Sequence, residues 1–167
     1  LDENASAGPL IREDAIEKID KQLDDAKGKG AKILSGGERL TGAEFDDGYF
    51  YKPTVITGIT TEMAIFYEET FGPVLPIITF NEDDEVIEAA NDTLYGLASY
   101  FYTNDIGRIA EVGRRLQYGM VGVNSINISY PQTPFGGVKH SGFGRENGAQ
   151  GLSDYIQVKF LNITYKK

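Results

Sequence analysis

The chain has 167 residues, 41% hydrophobic and 25% charged, with a formal net charge of −9 at pH 7 and no cysteine. That length suits one domain, or one with an appendage, able to bury about 70% of its unfolded surface without staples. The acidic balance argues against nucleic acid or an anionic membrane surface as partner, no apolar run is long enough to span a bilayer, and the lack of cysteine excludes disulfides, thiolate metal sites and thiol nucleophiles within these residues.

The first eight residues are acidic and small, with no secretory leader pattern. Together with the absence of a span they read as cytoplasmic, and the start at Leu1 reads as internal to a longer product. Residues 12–29 place Ile16, Ile19, Leu23 and Ala26 on one narrow helical face, with charge on nearly every other position. This predicts a solvent-side helix ended by Gly28 and Gly30. A short apolar stretch at 31–34 runs into the turn Ser35-Gly36-Gly37, and 40–48 reads as loop. Residues 53–57 predict a strand and 61–66 a short helix. Residues 74–80 predict an apolar strand in which Pro76 marks an edge or a bulge. Asn81 is expected to cap a helix over 82–91, whose first turn, Glu82-Asp83-Asp84-Glu85, complements the helix dipole. A strand at 97–102 is followed by a helix capped by Asn104 or Asp105 and running to Gln117, with Ile106, Ile109, Ala110, Gly113 and Leu116 on one face. A strand at 119–123 completes the alternation. The pattern predicts an α/β fold, a mostly parallel sheet with flanking helices.

The tail differs. Ile156, Val158 and Phe160 alternate with Gln157 and Lys159, predicting a half-buried strand, and Leu161 and Ile163 switch its parity. A terminal strand with no helix after it is a candidate for pairing with a second subunit; packing on its own domain is the alternative.

Six of the twenty glycines lie in PFGGVKHSGFGRENGAQG, residues 134–151. Glycine is used where the backbone needs positive φ or lies against something else, so this stretch predicts a binding wall or a tight seam rather than a linker, which would leave Phe135, Val138 and Phe143 exposed. GFGRENG is not a dinucleotide fingerprint, because its third glycine comes one residue late and the acidic residue about twenty positions on is missing. It reads as a glycine-rich turn into a helix with Arg145 and Glu146 in the first turn. The single histidine, His140, excludes a multi-histidine metal cluster. Its neighbour Ser141 is adjacent in sequence and badly placed to share a proton with it, so His140 reads as a surface residue. In YEETFGPV, residues 67–74, two carboxylates precede an aromatic and a Gly-Pro turn. Such a carboxylate can accept from sugar hydroxyls while the aromatic covers a ring; a solvated acidic loop is the plain alternative.

EETFGPV, GMVGVN and PFGGVKHSGFGRENG, with the upstream GPLI, PTVITGIT and AND-x-x-YGLASYFYT segments, resemble the C-terminal third of the aldehyde dehydrogenase superfamily, and within it most resemble succinate-semialdehyde dehydrogenases. The resemblance covers essentially the whole chain. It implies a Rossmann-like catalytic-domain portion over 1–152 and an oligomerisation strand over 153–167, hence a homo-oligomer acting on a small-molecule aldehyde with NAD or NADP. It further implies that Glu69 binds the ribose of the nicotinamide half and that Phe71 helps place the nicotinamide. Phe135 would line the aldehyde pocket, and Ser129 would fall near a semialdehyde's carboxylate. The family's chemistry needs a cysteine thiolate to form a thiohemiacetal that passes hydride to the nicotinamide, and a glutamate base to help water release the acid. In the family pattern the segments bearing both, and the glycine-rich cofactor turn, lie upstream of Leu1. No catalytic or metal-ligating residue is therefore assigned here, and the fragment alone is expected to be inactive. The alternative is a non-catalytic module that dimerises or binds a partner through unpaired sheet edges.

Overall fold

The computed structural model describes residues 7–42 and 44–165. They divide into two compact units, Leu1–Asn81 and Glu82–Lys167. Each is taken by itself.

The first unit is built on helix α1 (Glu13–Gly28). Its apolar stripe buries Ile16, Ile19, Leu23 and Ala26, together with the polar Gln22. The helix ends because Gly30 can take a φ of +98°: its N–H donates to the Lys27 carbonyl at 3.0 Å and that of Ala31 to the Ala26 carbonyl at 2.9 Å, a Schellman closure. The chain then enters β1 (Lys32–Ser35), followed by β2 (Thr54–Thr57), helix α2 (Ala64–Tyr67) and β3 (Val74–Ile77). The sheet order is β1-β2-β3. β1 runs antiparallel to β2, and β3 runs parallel to it with Ile56 opposite Pro76. Pro76, which has no N–H to donate, thus sits on an edge strand. The stripe of α1 packs with Tyr51, Ile56, Ile59, Met63 and Ile65 in one core. The Asp25 carboxylate accepts from the Ala64 N–H at 2.8 Å and so fastens the start of α2 to α1. The Lys29 ammonium beside it, and that N–H, hold its pKa below the usual range.

The second unit contains α3 (Asp83–Asn91), β4 (Tyr95–Gly96), β5 (Ala98–Phe101), α4 (Ile106–Arg115), β6 (Met120–Val123), β7 (Val138–Lys139) and a 3-10 helix (Gln150–Tyr155). β5 and β6 pair in parallel, from Ala98 opposite Met120 to Phe101 opposite Val123. β4 and β7 pair antiparallel, with Tyr95 opposite Lys139. α3 and α4 are joined by ion pairs of Asp83 with Arg108 and Asp84 with Arg115. At their other ends the Asn91 amide donates to the Arg115 carbonyl at 2.9 Å and accepts from the Gln117 N–H at 2.8 Å. Buried apolar side chains are sparse here: Ile87, Val112 and Met120 among the described residues.

The α/β character expected from the sequence is present, but not as one mostly parallel sheet. Among the described residues two strand pairings are parallel and two antiparallel, in three small sheets. The strand expected over 97–102 is present as Ala98–Phe101, and Tyr95–Gly96 just before it is a separate short strand on a different partner. The first short helix begins at Ala64, and β3 stops at Ile77. α3 has Glu82 rather than Asn81 at its N-cap, with no side-chain cap bond. Asp105, in contrast, caps α4, accepting from the N–H groups of Gly107 and Arg108. Residues 156–165 are in no strand among the described residues, and Val158 is 97% exposed. An extended segment acquires a ladder only from a partner edge, and no described residue supplies one.

Candidate functional site

Glu69 and Phe71 belong to the first unit and Ser129 and Phe135 to the second. In the first unit, residues 68–73 form an elbow between α2 and β3. The Glu68 N–H closes on the Ala64 carbonyl at 2.9 Å, and at the far side the Pro73 carbonyl accepts from Thr54 at 2.8 Å. Between these anchors the backbone of Phe71 is in the left-handed region at φ +52°, where a side chain with a Cβ is crowded. The ring is 82% exposed, and Glu69 is exposed as well. Gly72 lies on α1: a Cβ there would stand 2.6 Å from Ile19 Cδ1, which would have to shift. The elbow thus presses its backbone on α1 and turns a carboxylate and a flat aromatic outward. That pair suits a ligand with hydroxyl donors next to a planar ring.

In the second unit the glycine-rich stretch makes a seam, as its composition suggested, although Phe143, expected to be covered, is exposed. A Cβ on Gly119, at the entry to β6, would fall 2.0 Å from the Gly136 carbonyl oxygen, so backbone lies directly on backbone. Phe135 and Glu146 exchange two bridge hydrogen bonds, at 2.8 and 2.7 Å. Arg145 and Glu146 accordingly lie in a loop, not in a helical first turn, and the helix that follows is the 3-10 turn at Gln150–Tyr155. The Arg145 guanidinium donates to the carbonyls of Gly137 at 2.8 Å and Gly144 at 2.6 Å. A cleft of about 550 Å³ opens here, with Leu97, Phe135, Phe143, Arg145, Asp154 and Tyr155 in its walls. Phe135 therefore sits in a cavity wall. Ser129 is exposed in the loop after β6 and is not part of that wall. The loop departs from Asn124, at φ +54°, whose amide accepts from the Thr103 N–H at 2.9 Å and donates to the Thr103 carbonyl at 2.8 Å.

His140 is exposed and stands edge-on to Tyr95 with ring centroids 6.2 Å apart. The Ser141 hydroxyl accepts from the Gly96 N–H at 3.0 Å, so the two neighbours serve different contacts. No group of three or more potential metal ligands occurs among the described residues, and none of their helices is long and apolar enough to cross a membrane.

Several residues that hold these walls carried no signal in the sequence. Gln22 and Lys18 of α1 bind carbonyls of the elbow. Lys139 donates to the carbonyls of Asn91 at 2.8 Å and Thr93 at 3.1 Å, fixing β7 to the end of α3. These contacts join residues 46 to 51 positions apart, beyond any local periodicity.

Comparison with known proteins bears on the whole chain. The model of the aldehyde dehydrogenase family matches residues 1–161. The 3-sulfolactaldehyde dehydrogenase of Pseudomonas putida is 45% identical over 96% of this chain. A probable NADP(+) succinate-semialdehyde dehydrogenase of Sinorhizobium fredii is 47% identical over 98% of it. The crystal structure of an aldehyde dehydrogenase from Brucella melitensis biovar abortus 2308 superposes with a TM-score of 0.91 at 43% identity, covering 99% of this chain and 33% of that one. The chain spans 32% of the length of each of the two curated relatives. With matching segments from end to end and the same fold, the chain is part of a member of the aldehyde dehydrogenase family.

Proposed function

We propose that this chain forms the C-terminal part of an NAD(P)-dependent aldehyde dehydrogenase that oxidises a small anionic aldehyde, of which succinate semialdehyde is the first candidate, to its acid. The observation that carries the reading is the elbow at residues 68–73, an exposed carboxylate and an exposed aromatic on a strained, multiply anchored backbone. Its donor chemistry fits a nicotinamide nucleotide: the Glu69 carboxylate can only accept, and ribose hydroxyls donate. Phe71 offers a flat face to the nicotinamide. The cofactor, when bound, supplies the hydride acceptor, and the protein supplies orientation and electrostatics. Phe135 bounds the aldehyde, and Ser129 offers a hydroxyl toward the substrate's acid group.

The names of four relatives support the substrate class. Their names include 3-sulfolactaldehyde, succinate-semialdehyde, aspartate-semialdehyde and glutarate-semialdehyde dehydrogenases, and each of these aldehydes carries an anionic group. The 167 residues hold no cysteine, so the nucleophilic thiol of such a reaction is not among them, and we expect no turnover from this chain by itself. The tail, 153–167, is proposed to add as a strand to another copy, although residues 153–155 belong to the 3-10 helix, and the enzyme is proposed to be cytoplasmic.

The test is reduction of NAD+ or NADP+ by the intact protein with succinate semialdehyde, comparing Glu69→Gln. Loss of one charge-assisted hydrogen bond to the ribose is expected to slow hydride transfer by about tenfold and to leave the aldehyde KM nearly unchanged. An unaltered hydride step in the variant removes Glu69 from the cofactor site; turnover by the 167 residues alone refutes their proposed inactivity.

A further inference from the structure

One helical face of α1 grips the elbow at three places. The Lys18 ammonium donates to the Glu69 carbonyl. The Gln22 amide donates to the Glu68 carbonyl at 3.1 Å. Between them Ile19, fully buried, lies so close beneath Gly72 that a Cβ there would stand 2.6 Å from its Cδ1 and force it to shift. Positions 18, 19 and 22 share a face at helical spacing, so a rigid rod holds both ends of the residues that carry Glu69 and Phe71.

Gln22 is the informative member. It is 2% exposed, in the apolar stripe of α1, and its Oε1 has no hydrogen-bond partner. Burying an amide with an unmet acceptor is unfavourable, whereas an apolar side chain of the same length would avoid that cost. Core packing therefore does not account for a glutamine at this position; its donated bond to Glu68 does. The same anchoring explains how Phe71 keeps its left-handed backbone, since strained residues persist only where their surroundings over-determine them.

We infer that Gln22 and Lys18 are positioning residues: through the Glu68 and Glu69 carbonyls they set where the Glu69 carboxylate and the Phe71 ring stand for the cofactor. This rests on the cofactor reading of the elbow. The two groups act on the bound nucleotide only through those residues and touch nothing on the aldehyde side.

The experiment uses the intact protein and four variants, Gln22→Met, Lys18→Met, Lys18→Arg and Glu69→Gln, with KM for NAD+ and NADP+, KM for succinate semialdehyde, kcat and Tm measured for each. Gln22→Met is expected to raise the cofactor KM about fivefold, the equivalent of one hydrogen bond, with the aldehyde KM unchanged and Tm equal or higher. Lys18→Met is expected to do the same more weakly, and Lys18→Arg, which keeps a donor, to restore the low cofactor KM. A purely structural role moves Tm and leaves the cofactor KM alone; that result in Gln22→Met overturns the inference. If Gln22→Met does not fold, the surface pair at Lys18 decides, and equal cofactor KM values for its two variants overturn the inference. Glu69→Gln separates the two readings. If it is impaired while Gln22→Met and Lys18→Met are not, only the positioning role fails. If it is unimpaired, the cofactor reading fails and this inference with it.

Discussion

At Phe71 two costs meet on one residue: a left-handed backbone and an aromatic ring left in water. The first costs about 1–2 kcal/mol, and the second forgoes burial worth about 1.5–3 kcal/mol for a large side chain. Phe71→Gly separates stability from function. The left-handed backbone is free for glycine, which offsets the extra entropy glycine loses on folding, and an exposed ring contributes little packing. Thermal melting of the variant is thus expected to stay within a few degrees of the parent, while affinity for NAD+ or NADP+, followed by calorimetric titration, falls several-fold. A large drop in Tm with unchanged affinity would make the ring a packing residue. EETFGPV stood out through its resemblance to the family, since its spacing alone reads as a solvated acidic loop. The left-handed Phe71 and the bond from Gln22 to the Glu68 carbonyl could not be singled out, since a glutamine among charged neighbours on α1 looks like one more solvent-side residue until its neighbour across the core is known.

Among the elements, α1 was the most legible, and α4 was legible at its cap but not in its face, where Ile106 is exposed and Val112, outside the expected stripe, is buried. α1 declares itself by four apolar residues on one stripe and a glycine at its end; α4 does so by Asp105, whose carboxylate accepts from the Arg108 and Gly107 N–H groups at 3.0 and 2.8 Å. Those two bonds hold the Asp105 pKa below its ordinary value. A carboxylate with a lowered folded pKa adds stability that is in place above its unfolded pKa, near 3.9, and that is lost as pH falls through the folded value. Asp105→Ala is therefore expected to lower Tm at pH 7 and to lose less further stability than the parent between about pH 4 and 2, as measured by melting across that range. Equal acid sensitivity in the two proteins would mean that the cap carries no linkage. β5 was legible within 97–102, but β4 was not legible as an element. ‘YGLASYFY’ (residues 95–102) is one apolar run, and only the partner edges, β7 for Tyr95–Gly96 and β6 for Ala98–Phe101, divide it. The same limit applies to the 3-10 turn at Gln150–Tyr155, where the glycines suggested a regular helix start.

For the molecule as a whole, the two units differ in how much they keep dry. The first closes a core of ten buried apolar residues around α1 and β2, whereas the second leaves Tyr100, Ile126, Phe143 and Tyr155 exposed. The tail extends this contrast: Ile156, Val158, Phe160, Leu161 and Ile163 are all exposed, in a segment whose alternation was read as a strand. Alternating apolar residues on an unpaired backbone present both a hydrogen-bonding edge and an apolar face, which a second copy of the same segment or of a neighbouring sheet edge can cover. Adding that edge to a partner's sheet buries apolar area at about 25 cal/mol per Å² and pairs its N–H and C=O groups in one step, which is the ground for the assembly role proposed for the tail. Deleting residues 156–165 from the intact protein is expected to shift its mass in solution, measured by light scattering after size exclusion, to a smaller species, with the cofactor affinity of the elbow retained because α1 and residues 68–73 lie in the other unit. Replacing Val158 and Phe160 together by lysine tests the apolar face without shortening the chain, and is expected to give the same smaller species. An unchanged mass in both variants would place the subunit contact elsewhere and leave the tail as a segment that packs on its own chain.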